Sequence, residues 1–128
     1  MQAVEDFMRE FFSGHIAFEH AKLAAYRPFR DRFFVDDYEP FSPHHLGRSC
    51  ESEKIDSIKR SKSTATVSTS TVYRTLQLQF RYHLRVRAES WVIRKVEVLC
   101  KVCNGTGKFT NEMRCTRCGG KGWETAGT

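Results

Sequence analysis

The spacing of apolar positions in this chain changes from about 3.6 residues to two near residue 53, which marks a change from helix to strand. In VEDFMREFFSG, Val4, Phe7, Met8, Phe11 and Phe12 stand at i, i+3, i+4, i+7 and i+8, a stripe along one helical face. The stripe continues less cleanly through Ile16, Phe18 and Leu23, and Gly14 marks a break or bend. Pro28 suits the first turn of a second helix, with Phe29, Phe33 and Phe34 turned inward. Pro40 and Pro43 close this region, and residues 40–52 read as a loop.

Beyond it the period is two. Thr and Val dominate residues 63–73, STATVSTSTVY, which predict a strand rather than a linker because Ala65, Val67 and Val72 interleave the hydroxyls. Residues 76–88, LQLQFRYHLRVRA, alternate strictly, with Leu76, Leu78, Phe80, Tyr82, Leu84, Val86 and Ala88 on one face. Gln77, Gln79, Arg81, His83, Arg85 and Arg87 fall on the other, the pattern of an antiparallel strand with one buried and one wet side. A tight turn is expected at Glu89-Ser90, and WVIRKVEVLC begins the next strand. EKIDSIKR, residues 53–60, predicts a short strand in which a bulge reconciles Ile55 with Ile58.

Helices followed by a meander of strands predict an α+β domain, with the helices packed on one face of a curved antiparallel sheet. The element order, the long final hairpin, and Trp91-Val92-Ile93 followed by Val96 and Val98 resemble the nuclear transport factor 2-like superfamily over residues 2–99. That superfamily includes ketosteroid isomerase and polyketide-cyclase-like proteins. The resemblance implies a cone-shaped fold, often with a pocket between sheet and helices, and a dimer formed through the sheet. Its members include enzymes, binding proteins, bacterial immunity proteins and dimerisation modules, so the fold does not choose a function.

The 128 residues are 40% hydrophobic and 28% charged, which suits a single domain able to bury a core. No apolar run approaches the roughly 20 residues of a membrane span. Glu5, Asp6, Arg9 and Glu10 interrupt the N-terminal apolar residues, unlike a secretory signal, so the expected location is cytoplasmic. Charge is divided unevenly: residues 1–53 carry a net −4 and residues 54–128 a net +10. Such asymmetry can mark a face that binds polyanions, nucleic acid among them.

Four of the five cysteines crowd into CKVCNGTGKFTNEMRCTRCGGKGW. Cys100-Lys101-Val102-Cys103-Asn104-Gly105-Thr106-Gly107 and Cys115-Thr116-Arg117-Cys118-Gly119-Gly120-Lys121-Gly122 both fit CxxCxGxG. In a reducing compartment clustered cysteines are metal ligands or redox groups more often than disulfides. Two residues between cysteines let both thiolates reach one ion, and the glycines allow the positive φ that the chain needs around it. Cys100, Cys103, Cys115 and Cys118 together supply four thiolates, the ligand set of a closed structural zinc site, one per chain. A rubredoxin-like iron site uses the same pair of knuckles, and a redox dithiol needs only one of them. The stretch resembles half of the cysteine-rich region of DnaJ chaperones, which has four such modules and two zincs. The resemblance maps zinc ligands onto these four cysteines and implies a small zinc ribbon used for protein contact. His44 and His45 follow Pro43, but the His-Pro-Asp tripeptide of the J-domain does not occur. The lone Cys50 reads as structurally inert.

The expected organisation is an α+β cone over residues 1–99, a zinc ribbon over 100–124 and a tail over 125–128. Arg81, Arg85 and Arg87 on the wet strand face, together with Trp123, are candidates for holding a partner. No interleaved aromatics are expected on that face to stack bases. His15, His20, Tyr26, Asp31 and Tyr82 are candidates to line a cone interior, although seven phenylalanines by residue 34 would tend to fill it. The leading function is a non-catalytic zinc-binding module for protein interaction or assembly, such as a bacterial accessory or immunity protein. The alternatives are a pocket protein, either an isomerase- or cyclase-like enzyme or a carrier of a small apolar ligand, and nucleic-acid binding through the basic C-terminal half.

Overall fold

The computed structural model describes residues 2–19, 26–36, 53–73, 76–100, 102–109 and 111–125. It is an α+β structure: helices α1 (Val4–Glu19) and α2 (Tyr26–Phe33) precede strands β1 (Lys54–Arg60), β2 (Thr64–Tyr73), β3 (Leu76–Arg87), β4 (Ser90–Leu99) and β5 (Trp123–Thr125). The strands form one antiparallel sheet in the order β1-β2-β3-β4-β5. The loop expected over 40–52, with Cys50 in it, lies outside the described residues. None of the described helices is long and apolar enough to cross a membrane.

The period-two pattern sets which sheet face is buried. Ala65, Val67 and Thr69 of β2 and Phe80, Tyr82 and Leu84 of β3 point into the core, while Arg81, His83 and Arg85 point away. The helical stripe meets that inner face: Val4, Phe7, Met8, Phe11 and Phe12 are all buried, and α1 continues through Gly14. Phe11 is the centre of an aromatic cluster, with its ring 5.4 Å from Phe33, 5.7 Å from Phe34 and 5.7 Å from Tyr82. All three contacts are edge-on, the arrangement that ring quadrupoles favour. Phe33 and Phe34 face inward as expected, Pro28 stands exposed in the first turn of α2 as expected, and the side chain of Phe29 lies outside the described residues.

Both irregularities in the sheet are bulges. One falls between Ile55 and Ser57, so that Ile55 lies opposite Thr69 and Ile58 opposite Val67 on the same inner face. This is the bulge the sequence predicts. The other lets β4 change phase: Leu84 faces Ile93 and His83 faces Lys95, leaving Arg94 as the extra residue. Trp91 and Ile93 before the bulge and Val96 after it are therefore all buried.

Long-range polar bonds close the domain. Trp91 donates its indole N–H to the Gln2 carbonyl at 3.0 Å. Arg30 is a buried cation whose guanidinium bonds the Val35 and Asp36 carbonyls at 2.9 and 2.7 Å. Val35 in turn donates to the Ile93 carbonyl, so the chain leaving α2 runs along the open edge of β4. At its other end, the same edge of β4 is paired with β5.

The β3–β4 turn is centred on Ala88-Glu89 rather than Glu89-Ser90, because Arg87 pairs with Ser90. Both turn residues are left-handed, with φ of 49° and 64°. That is the two-residue geometry which matches strand twist and normally selects Asn-Gly. A side-chain-bearing residue there costs roughly 1–2 kcal/mol. Replacing Ala88-Glu89 by Asn-Gly is therefore expected to stabilise the fold by about 1–2 kcal/mol in denaturant titration; an unchanged or lower midpoint would contradict the turn assignment.

Candidate functional site

The four C-terminal thiols converge on one point. The sulfurs of Cys100, Cys103, Cys115 and Cys118 lie within 4.8 Å of one another, and all four residues are buried. Cys100 and Cys115 sulfurs are 3.9 Å apart and those of Cys103 and Cys118 are 3.6 Å apart. Zinc–thiolate bonds of about 2.3 Å place tetrahedral sulfurs roughly 3.8 Å from each other. The cluster therefore has the dimensions of a four-thiolate metal site, whereas a disulfide needs about 2.05 Å.

The two knuckles are built alike and pack back to back. Gly107 N–H donates to Cys103 Sγ at 3.3 Å, and Gly122 N–H donates to Cys118 Sγ at 3.2 Å. Cys115 N–H bonds the Gly107 carbonyl at 2.8 Å, and Cys100 N–H bonds the Gly122 carbonyl at 2.9 Å. The first cysteine of each knuckle is thus tied to the last glycine of the other. Those last glycines have positive φ, but space constrains them as much. A β-carbon on Gly107 would overlap the Gly120 carbonyl, and one on Gly122 would overlap the Gly105 carbonyl. The turn between the knuckles closes by Phe109 and Met113 backbone pairing, with Phe109 packed on the thiol cluster.

Burial and N–H donors divide the thiols. Burial pushes the Cys100 thiol up to about 11. At Cys118 burial acts in the same direction, but the Gly122 N–H and the neighbouring thiols outweigh it and bring the pKa down to about 6. Cys103 is lowered in the same way, with Gly107 as the donor that counters burial. Knuckle amides aimed at sulfur thus already stabilise thiolate, the form that binds metal.

β5 begins one residue after Gly122 and joins the sheet, with Leu99 opposite Trp123, Val98 opposite Glu124 and Glu97 opposite Thr125. The C-terminal segment is therefore tied to the domain at both ends, through β4 and through β5. This register puts Trp123 on the outer sheet face, where the Arg81 guanidinium stands 4.0 Å from its ring centroid. Arg81 also donates two bonds to Glu97, at 3.1 and 2.9 Å, and His83 bonds the same carboxylate oxygen at 2.5 Å. The outer face therefore carries an aromatic ring that strand alternation does not reveal. Arg85 is exposed, and Arg87 reaches Asp36 at 3.6 Å and the Asp31 carbonyl at 3.3 Å.

The pocket candidates are not brought together. His20 lies outside the described residues, as do the side chains of His15 and Tyr26. Asp31 faces solvent beside Arg30, 3.3 Å away. Tyr82 is buried and donates its hydroxyl to Glu53 at 2.8 Å; Thr69 donates to the same carboxylate oxygen. Glu53 borders a shallow open cleft with Phe12 and Ile55. It had no sequence signal beyond standing at the start of a strand.

Comparison of the chain with protein-family models, with curated proteins and with solved structures finds no match.

Glycine geometry separates two kinds of position. Gly119 also has positive φ, but a β-carbon there would meet only the flexible Arg114 side chain, at 3.5 Å. Asn tolerates the left-handed region. Gly119→Asn should keep metal affinity within about threefold, and Gly107→Asn should lower it more than about tenfold, or about 1.4 kcal/mol. Competition with a chromophoric chelator reads both, and equal losses would contradict the back-to-back packing.

The polar cluster makes a pH prediction. Burial lowers the His83 pKa from 6.5, against the opposing pull of Glu97. Burial would raise Glu97, but bonds from His83 and Arg81 outweigh it and leave the pKa below 4.5. Both folded values lie below the unfolded ones, so this stabilisation is complete above the unfolded pKa values and is lost as pH falls through the folded ones. The stability gap between wild type and Glu97→Gln should be widest where Glu97 is ionised, above pH 4.5, and should close as pH falls through its lower folded value. Thermal unfolding across that range measures it, and a constant gap would rule out the carboxylate's role.

Proposed function

We propose that this chain is a non-catalytic binding module, with its C-terminal segment folded by one structural zinc ion and its partner docked on the outer face of the sheet. The closed thiol cluster carries the reading. Four buried sulfurs lie within 4.8 Å of one another, a set that can fill all four positions of a tetrahedral zinc and leave none for water or substrate. Two knuckles converging on one point favour a metal over a redox dithiol, which needs only one of them. The expected contribution of the ion to folding is on the order of 10 kcal/mol or more.

The ion's work is positional. β5 has three residues and cannot hold a sheet edge on its own pairing. Its place follows from the knuckle that ends at Gly122. Trp123, the Arg81 pair and the edge of the outer face therefore depend on the metal. The inner face supports the same reading, because Phe7, Phe11, Phe33, Phe34 and Phe80 fill the space where a pocket would lie. The order of helices and strands agrees with a nuclear transport factor 2-like domain, and free thiols suit a reducing cytoplasm.

Protein purified without chelator is expected to hold one zinc per chain by elemental analysis; iron, or no metal, would overturn the assignment. Cys115→Ser is expected to release the ion and expose the amides of residues 102–125 to hydrogen exchange while β1 to β4 stay protected. Loss of protection throughout would show instead that the thiol cluster is part of the main folding unit.

A further inference from the structure

We propose that the outer sheet face binds single-stranded nucleic acid, with Arg81 and Trp123 as the stacking platform and Lys59, Arg85, Arg94 and Lys95 as phosphate contacts. This rests on the reading above that the metal holds β5, and so Trp123, in place.

The register lays out the surface. Lys59, Thr66, His83 and Lys95 form one row across β1 to β4, and Ser68, Arg81, Glu97 and Thr125 form the next across β2 to β5. Arg85 lies one row further along β3, and the β4 bulge adds the exposed Arg94 beside Lys95. Thr66, Ser68 and Ser70 line β2 between the cations, with hydroxyls of the kind that bond phosphate and sugar oxygens. The main carboxylate among them is Glu97, with a side chain only 13% exposed, bonded to Arg81 and His83 and 3.7 Å from Lys95. A second, Asp56, sits at the β1 edge and accepts from Ser70.

The Arg81 geometry chooses the partner. Binding an acidic protein would use the guanidinium's fork of N–H groups on a carboxylate. Here Glu97 takes the Nε and one terminal nitrogen, and the flat face lies on the indole. With that fork occupied, the group offers its remaining terminal N–H groups and its planar surface, and every base has a π-face to lay on the latter. Cations set one and two rows away can then follow a backbone.

The test is fluorescence anisotropy of a labelled oligouridylate of about 12 nucleotides, within the range of known single-strand sites, with zinc content measured on the same protein. Binding should weaken with salt at a log–log slope of about −3, as about four phosphate contacts require. It should also quench tryptophan emission. Trp123→Ala should weaken it about tenfold, the loss of one stacked base. Because that change could loosen β5, a second variant carries Arg85→Ala with Arg94→Ala, both at exposed positions. It should reduce the slope by about 1.4 while retaining zinc. Zinc-loaded protein that ignores the oligonucleotide at low salt would overturn the proposal, as would binding a polyglutamate peptide in its place or dimerising through this face. Oligonucleotide binding by protein that carries no metal would sink the zinc reading and leave the sheet face standing.

Discussion

The contact on which the C-terminal half depends is the reciprocal clamp between the two cysteine knuckles. Each knuckle sends one amide to its own sulfur and another to the last glycine of its twin. A segment this short has too little apolar area to hold itself by burial. Its order has to come from thiols brought within 4.8 Å, and that requires backbones to approach more closely than any side chain allows. The consequence extends beyond the cluster. The last knuckle delivers the chain to Leu99 in antiparallel register, so the clamp determines where the sheet ends and which ring stands on its outer face.

The two faces of the sheet share a cause and differ in consequence. Strict alternation along β3 drives Phe80, Tyr82 and Leu84 against the helices and leaves Arg81, His83 and Arg85 outside. The inner face is then closed by aromatic rings from α1 and from the α2 exit. One carboxylate, Glu53, is admitted at the margin because Tyr82 and Thr69 both turn hydroxyls toward it. The outer face has no helix among the described residues to cover it, so its charges organise themselves. Glu97 gathers Arg81, His83 and, at 3.7 Å, Lys95 around one carboxylate, and Arg81 rests on Trp123.

Most of what depended on local spacing could be read directly from the sequence, although α1 runs on through Gly14. The helical stripe from Val4 to Phe12, the alternation of β3, the bulge between Ile55 and Ser57 and the convergence of the four cysteines all follow from neighbours within a few residues or from a repeated motif. What stayed hidden depends on distant partners. WET is too short to announce itself as a strand, and only its pairing with Glu97–Leu99 makes it one. Glycine spacing suggested positive φ, but the reciprocal overlap of Gly107 with Gly120 and of Gly122 with Gly105 belongs to the packing of two motifs, not to either alone. Ala88-Glu89 lacked the turn chemistry that would have placed the hairpin, because the long flanking strands impose the geometry on residues that do not favour it.

Charge deserves the same separation of local from global. A net +10 over residues 54–128 suggests a broadly basic half. Four thiolates around a divalent ion carry a net −2, and part of that basic excess lies beside them. Arg114 bonds the Gly119 carbonyl at 2.9 Å, alongside the second knuckle. Arg117 is raised chiefly by Glu124 and further by the charge of Cys100 and Cys115. Both cations stand beside the knuckles on exposed side chains. With a divalent ion bound the half would carry +8, and among its exposed cations Lys59, Arg85 and Arg94 lie on the sheet. The proposed recognition would thus rest on the cations of one sheet face, apart from those that stand beside the knuckles.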